Sequence, residues 1–299
     1  MDFHEAKHQL LLLVNKVQPS DVPKLIEWVR TSGELDDAVA DNDKVILRSI
    51  ADELRASLPP DAMVTCESHV RQKVRERARP TAHVDAFLYD EERVDALCEA
   101  GSMSRCYCLA CGSSRTAPLD FVSHSFSVSE LAFLFRNVLP DLSGRTLVDV
   151  GSRLGAVLYG GYLFSSASRL VGVELSQDFV DLQNKMVDKY AMRDRVQVVH
   201  ADVCTQDRLL QSADVVVINN VFQFFMEPDQ QVRAWKWITQ TLRKTGSLLV
   251  TVPSLQETFN TLQETLPDDW VLELPLDYDV YVQDADPEAL RQIHLYKVV

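Results

Sequence analysis

Short β-branched runs recur along the second half of the chain: TLVDV (146–150), RLVGVEL (169–175), RVQVVHA (195–201), ADVVVINN (213–220) and GSLLVTV (246–252). They are apolar almost throughout, not on alternate positions. A strand of that kind needs cover on both faces, which is the situation of a parallel sheet with helices above and below. Helical segments fit between them: Val128 to Val138 ahead of the first run, an apolar stretch after it, then Phe179 to Tyr190 and Gln230 to Leu242. Alternating strand and helix at this spacing predicts an α/β fold with a doubly wound, mostly parallel sheet. WVLEL (270–274) and IHLYKVV (293–299) add strands at the C-terminal edge and bring the count to seven.

The first third of the chain reads differently. Leu10, Leu13, Val14 and Val17 repeat at helical spacing, Leu25, Trp28 and Val29 share a face, and Ile46, Ile50, Leu54 and Leu58 form a third stripe that Pro59-Pro60 ends. Residues 1–103 are therefore expected as a helical N-terminal domain. Residues 104–125, with Cys106, Cys108 and Cys111, are expected as a connector or hairpin, and residues 126–299 as the sheet domain. Arg71, Lys73, Arg75, Arg77 and Arg79 alternate along one segment, and on a helix that spacing spreads the charge around the cylinder.

Charge narrows the function classes. Acids outnumber bases 44 to 30, a net charge of -14. This argues against a generic nucleic-acid coat, whose affinity comes from neutralising phosphates. The longest aliphatic run, Leu10 to Val14, is far short of the roughly 20 residues a membrane span requires. The start MDFHEAKH does not resemble a signal peptide. Six cysteines are too few for a disulfide scaffold. The expectation is a reduced cytoplasmic protein, with the nucleus left open as a second compartment and the oligomeric state open.

In a doubly wound sheet, ligands bind beyond the carboxyl ends of the strands. After the first strand comes Asp149-Val150-Gly151-Ser152-Arg153-Leu154-Gly155, where glycine allows a tight turn and a close backbone approach. Glu174 ends the second strand, placed to accept from both hydroxyls of a ribose. Asp202 follows the third, placed to accept from an exocyclic amine. Asn219 and Asn220 follow the fourth, with Phe222, Phe224 and Phe225 next. The set asks for a nucleoside. It does not ask for a pyrophosphate, because Arg153 stands where G-x-G-x-x-G needs its second glycine.

These motifs, VDVGSRLG (148–155), GVEL (172–175), HADV (200–203) and VINN (217–220), make residues 126–299 resemble the class I S-adenosylmethionine-dependent methyltransferases. The resemblance implies a Rossmann-like methyltransferase domain with S-adenosylmethionine as cofactor. The implied cofactor-binding set is Asp149, Gly151, Ser152, Arg153, Gly155, Glu174, Leu175, Asp202, Val203 and Asn219. Within it, Gly151 and Gly155 would pass the methionine part, Glu174 would hold the ribose, and Asp202 would meet the adenine amine with Val203 beside the ring. Asn219, Asn220 and Phe222 are the candidate catalytic residues, the amides orienting the acceptor and the ring walling the pocket. VINN is also similar to the asparagine pair of the non-SET histone lysine methyltransferases. The usual D-x-G-x-G-x-G has Arg153 in place of its middle glycine. That arginine would either pair with the cofactor carboxylate, giving an enzyme, or fill the pocket, giving an inactive binding protein.

The partner implied is a methyl acceptor. A protein side chain is favoured over a small molecule, and RNA comes third, supported only by Arg71 to Arg79. His124 is a candidate base, with capping or packing as its plainer role. Cys106, Cys108 and Cys111 lack a fourth zinc ligand in sequence, unless Cys98, Cys66, His69 or His124 supplies it, and no metal is expected. Gly160-Gly161 inside a helix implies close packing on the sheet. Asp268 to Leu290 holds eight acids and no lysine or arginine. It is either a solvated loop or a guide for a basic substrate.

Overall fold

The structure is a computed structural model and describes residues 3–31, 34–59, 61–63, 81–110, 113–280, 282 and 285–299. The basic segment Arg71 to Arg79, together with Cys66, His69 and Cys111, lies outside the described residues.

Two compact units are present, Met1–Ile46 and Leu47–Val299. The expected divisions at 103 and 125 do not coincide with this one: residues 47–103 belong to the larger unit. In the first unit, helices Phe3–Val14 and Val22–Thr31 leave Leu10, Leu13, Trp28 and Val29 exposed. The helical periodicity there is real, but among the described residues of this unit no side chain is buried. The third stripe behaves as expected on its later turns. Helix Glu34–Ser57 carries Leu47, Ile50 and Leu54 into the core of the larger unit.

Two small sheets precede the large one. Strands β2 (Cys106–Cys108) and β3 (Thr116–Pro118) pair antiparallel. Strand β1 (Thr81–His83) pairs parallel with β4 (Asp120–Val122), a contact across a segment expected to be helical.

The large sheet is α/β, seven-stranded and mostly parallel. Its strands are β5 (Thr146–Val150), β6 (Arg169–Glu174), β7 (Val196–His200), β8 (Val215–Asn219), β9 (Leu248–Val252), β10 (Val271–Leu274) and β11 (His294–Val298). Their order is β10-β11-β9-β8-β5-β6-β7, and β11 runs antiparallel to both neighbours. From β5 the chain winds outward to β7, then returns to β8 on the other side of β5. The strand ends on either side of that reversal form the crevice where an α/β sheet binds ligands. Register sets which residues reach it: Val150 lies beside Val173 and Ile218, Glu174 beside His200, and Asn219 beside Val252.

Packing explains the glycines. Val148, Val150, Val171, Val173, Val216 and Ile218 form one core cluster with Trp235, Ile238, Phe259 and Trp270. A Cβ on Gly161, in helix Ala156–Phe164, would come within 2.7 Å of Leu170 and 3.0 Å of Phe135, and one on Gly160 within 3.2 Å of Leu131. The glycine pair thus lets this helix lie close on its neighbours. The tightest position is on β6, where a Cβ on Gly172 would lie 2.5 Å from Ser152 Oγ and 2.8 Å from Ser152 Cβ. Gly172→Ala is expected to destabilise the fold by about 1–3 kcal/mol, the range for forcing a methyl into a filled core. Urea denaturation measures this, and an unchanged midpoint would show that the contact is not as tight as described.

Candidate functional site

The turn after β5 concentrates unusual backbone. Gly151, Arg153 and Gly155 have φ of 68°, 44° and 83°. Glycine adopts the left-handed region freely, whereas another residue pays about 1–2 kcal/mol there. The amides of Gly151 and Ser152 both donate to Val173 O, at 2.8 and 3.2 Å, which fastens the turn to β6. Ser152 Oγ donates to Gln183 Oε1 at 2.8 Å on helix Gln177–Lys189. A Cβ on Gly151 would meet Val221 Cγ1 at 2.6 Å, and one on Gly155 would meet the Tyr159 ring at 2.7 Å.

Arg153 is held by partners distant in sequence. Its backbone amide donates to Glu174 Oε2 at 2.8 Å. The guanidinium donates to Asp85 Oδ2 at 3.1 Å and to Ala62 O at 2.9 Å, and its Cζ lies 5.0 Å from the centre of the Phe179 ring. The side chains of Arg153 and Asp85 are 7% and 0% exposed. Burial pushes the Asp85 carboxyl upward, against the Arg153 charge and hydrogen bonds from Ser125 and Phe87. The Arg153 guanidinium is engaged by Asp85 and Ala62.

A cavity of about 300 Å³ opens at the strand ends. Of the residues singled out by sequence, Gly151, Arg153, Glu174, Leu175, Asp202, Val203, Asn219, Asn220 and Phe222 line it. Asp149, Ser152 and Gly155 are not among its lining residues. Asp149 is buried among the strands, where desolvation and the Glu174 charge hold its carboxyl well above the usual carboxylate range. Glu174 is 8% exposed and is gripped by two amides, Arg153 N on Oε2 and Ser176 N on Oε1, the latter at 2.7 Å. Each carboxylate oxygen has a second lone pair, so Glu174 can accept further donors from the cavity. Leu175, 64% exposed, lies beside it. After the neighbouring strand β7, Asp202 Oδ1 accepts from Cys204 N at 2.9 Å and Val203 is buried.

The opposite end is aromatic and amide-bearing. Asn220 has φ of 52°, and its amide donates to Val252 O at 2.8 Å. Asn219 and Asn220 thereby meet side by side, 3.4 Å apart through Asn220 Nδ2 and Asn219 Oδ1. Phe222 is buried, edge-on to Trp235, and Phe225 and Met226 complete this wall. His124 lines the cavity too, with Nε2 2.9 Å from His83 Nδ1 and its ring against Phe224 and Phe225. It does not cap the following helix, whose N-cap is Ser127. Residues missed by sequence reasoning are Asp85, Ala62, Phe179 and His83. Only Phe179 carried a signal, as the first apolar residue of the helix after β6. Cys106 and Cys108 are exposed, and among the described residues no group of three histidine, cysteine or acidic side chains is placed to hold a metal.

A protein-family model described as a methyltransferase domain matches residues 148–250. The matched segment runs from β5 into β9. No curated protein matches the chain. Among solved structures, it is similar to an RNA methyltransferase from Salinibacter ruber in complex with S-adenosyl-L-homocysteine, at 17% identity and TM-score 0.37, covering 57% of this chain and 89% of that one. It is also similar to an O-methyltransferase from Bacillus cereus, at 14% identity and TM-score 0.39, covering 60% and 84%. A methyltransferase from Geobacter sulfurreducens gives 17% identity and TM-score 0.37, covering 57% and 77%.

The cofactor of this family is S-adenosylmethionine, and the cavity suits it chemically. A near-buried carboxylate, Glu174, and an exposed one, Asp202, line the space together with apolar side chains such as Val173, Val203 and Phe179. Asp149 supplies a pH test of these assignments. With its folded pKa raised, the wild type is most stable below the ordinary carboxylate pKa near 4 and loses stability as pH rises toward the folded value. Asp149→Asn removes that loss. The variant is expected to gain stability over wild type progressively as pH rises above the ordinary carboxylate value in chemical denaturation, and a pH-independent difference would count against the raised Asp149.

Proposed function

We propose that the protein is an active S-adenosylmethionine-dependent methyltransferase whose acceptor is a nitrogen-bearing, basic protein side chain. The observation that carries the reading is the meeting of Glu174, Asp202 and the Asn219–Asn220 pair around one cavity. Glu174 binds the ribose hydroxyls, Asp202 the adenine amine, and Leu175 and Val203 bracket the ring. When bound, S-adenosylmethionine supplies an electrophilic sulfonium methyl, so the protein is left with orientation and desolvation. Asn219 and Asn220 accept hydrogen bonds from the acceptor nitrogen and hold it in line. Phe222 and Phe225 exclude water around it.

Charge supports a basic acceptor. Glu273, Asp277, Asp279 and Glu288 are exposed on the segment leading into β11. That segment folds onto the helix following His124, where Tyr278 packs on Phe133 with ring centroids 6.1 Å apart. The competing reading, an inactive binding protein, drew on Arg153 blocking the cavity. The engagement of its guanidinium by Asp85 and Ala62 favours the enzyme.

Calorimetric titration with S-adenosylmethionine is expected to show binding, and Glu174→Ala to weaken it by about tenfold or more, a loss of about 1.4 kcal/mol or more. Undiminished affinity in that variant would remove the ribose assignment. With labelled cofactor and a cell extract, label is expected in the protein fraction, and Asn220→Ala to abolish it. Label confined to RNA or small molecules would refute the acceptor class. Reversing Asp277 and Asp279 to lysine is expected to raise KM for the acceptor, leaving cofactor affinity intact.

A further inference from the structure

The buried ion pair between Arg153 and Asp85 has a use beyond stability. We infer that it is a positioning device, through which the segment containing Asp85 governs cofactor affinity. This inference rests on the methyl-donor reading of the cavity.

The causal chain runs through one backbone amide. Arg153 N donates to Glu174 Oε2, and that geometry requires Arg153 to stay left-handed at φ 44°. A glycine there would adopt this conformation unaided, but an arginine must be held. Among the contacts that hold it are Asp85 Oδ2 at 3.1 Å, Ala62 O at 2.9 Å and the Phe179 ring. The first two come from sequence 68 and 91 residues away. Release of the guanidinium frees the turn to relax, and Glu174 then loses one of the two amides that aim it.

Asp85 is itself built in. Its Oδ1 accepts from Phe87 N at 3.1 Å, and its Oδ2 also accepts from Ser125 Oγ at 2.7 Å. Ala86 N donates to Ser123 Oγ at 2.8 Å, and Ser123 Oγ donates to Ser125 O at 2.7 Å. The Asp85 carboxylate thus ties the cofactor turn to Ser125 and the next residue's amide reaches Ser123, so this segment holds both neighbours of His124, a residue lining the cavity. Replacing the middle glycine by arginine makes a pocket conditional on a remote segment. Arg153 and Asp85 are positioning residues, since they act through Glu174.

The test is a double-mutant cycle read by cofactor affinity. Asp85→Asn is expected to weaken S-adenosylmethionine binding by about tenfold in the wild-type background, and by less than about threefold when Arg153→Gly is also present. Arg153→Lys should bind more tightly than Arg153→Met. Equal losses from Asp85→Asn in both backgrounds would overturn the proposal, because a purely stabilising pair lowers the melting temperature without such coupling. If Asp85→Asn does not fold, hydrogen exchange on the other proteins decides. Cofactor binding is expected to slow exchange at Ala86, Phe87 and Leu88 in wild type, by reciprocity of coupling, and not in Arg153→Gly. Equal slowing in both would again overturn it. Absence of binding by the wild type is a separate result, and would refute the methyl-donor reading instead.

Discussion

Two carboxylates lie close together at the centre of the sheet, and dry surroundings tolerate charge on only one. Asp149 on β5 and Glu174 on β6 are both nearly buried. Asp149 gives way: burial and the charge of Glu174 hold its carboxyl well above the usual carboxylate range. Glu174 is compensated by two backbone donors, which suit an anion that must be partly desolvated and still face a ligand. The site follows from that division. It presents one fixed anion at the head of the crevice, with apolar walls on both sides. The fixing depends on the conformation of a single arginine, and that in turn on a carboxylate brought from the other half of the chain.

Most of the sheet was legible in the sequence because its strands are β-branched runs bounded by turns. Every expected strand from 146 to 299 is present, within about two residues of its expected ends. The acids after β6 and β7, and the amides after β8, were legible because parallel register brings successive strand ends to one edge. Asp149 reads as a member of the same set, but strand alternation turns it to the face opposite Val150, which lines the cavity. Its position near the strand end is not enough.

What the sequence concealed are contacts between remote segments. Nothing in composition or spacing links Arg153 to Asp85 or to the carbonyl of Ala62, because pairing of this kind depends on how layers stack. β1 and β4 are three residues each, too short to show a period, so nothing in the sequence pairs a strand in the expected helical region with one in the expected connector. In the first unit, Leu10 to Leu13 are four consecutive leucines, which no single helix face can bury.

Phe222 carries a different kind of consequence. Its ring sits edge-on to Trp235 within the main cluster and also walls the cavity. Heat tolerance and ligand choice are therefore read from one side chain. A lineage of this protein adapting to higher temperature by filling its core around Trp235 would reshape its binding wall in the same step, and a lineage adopting a bulkier ligand would loosen its core.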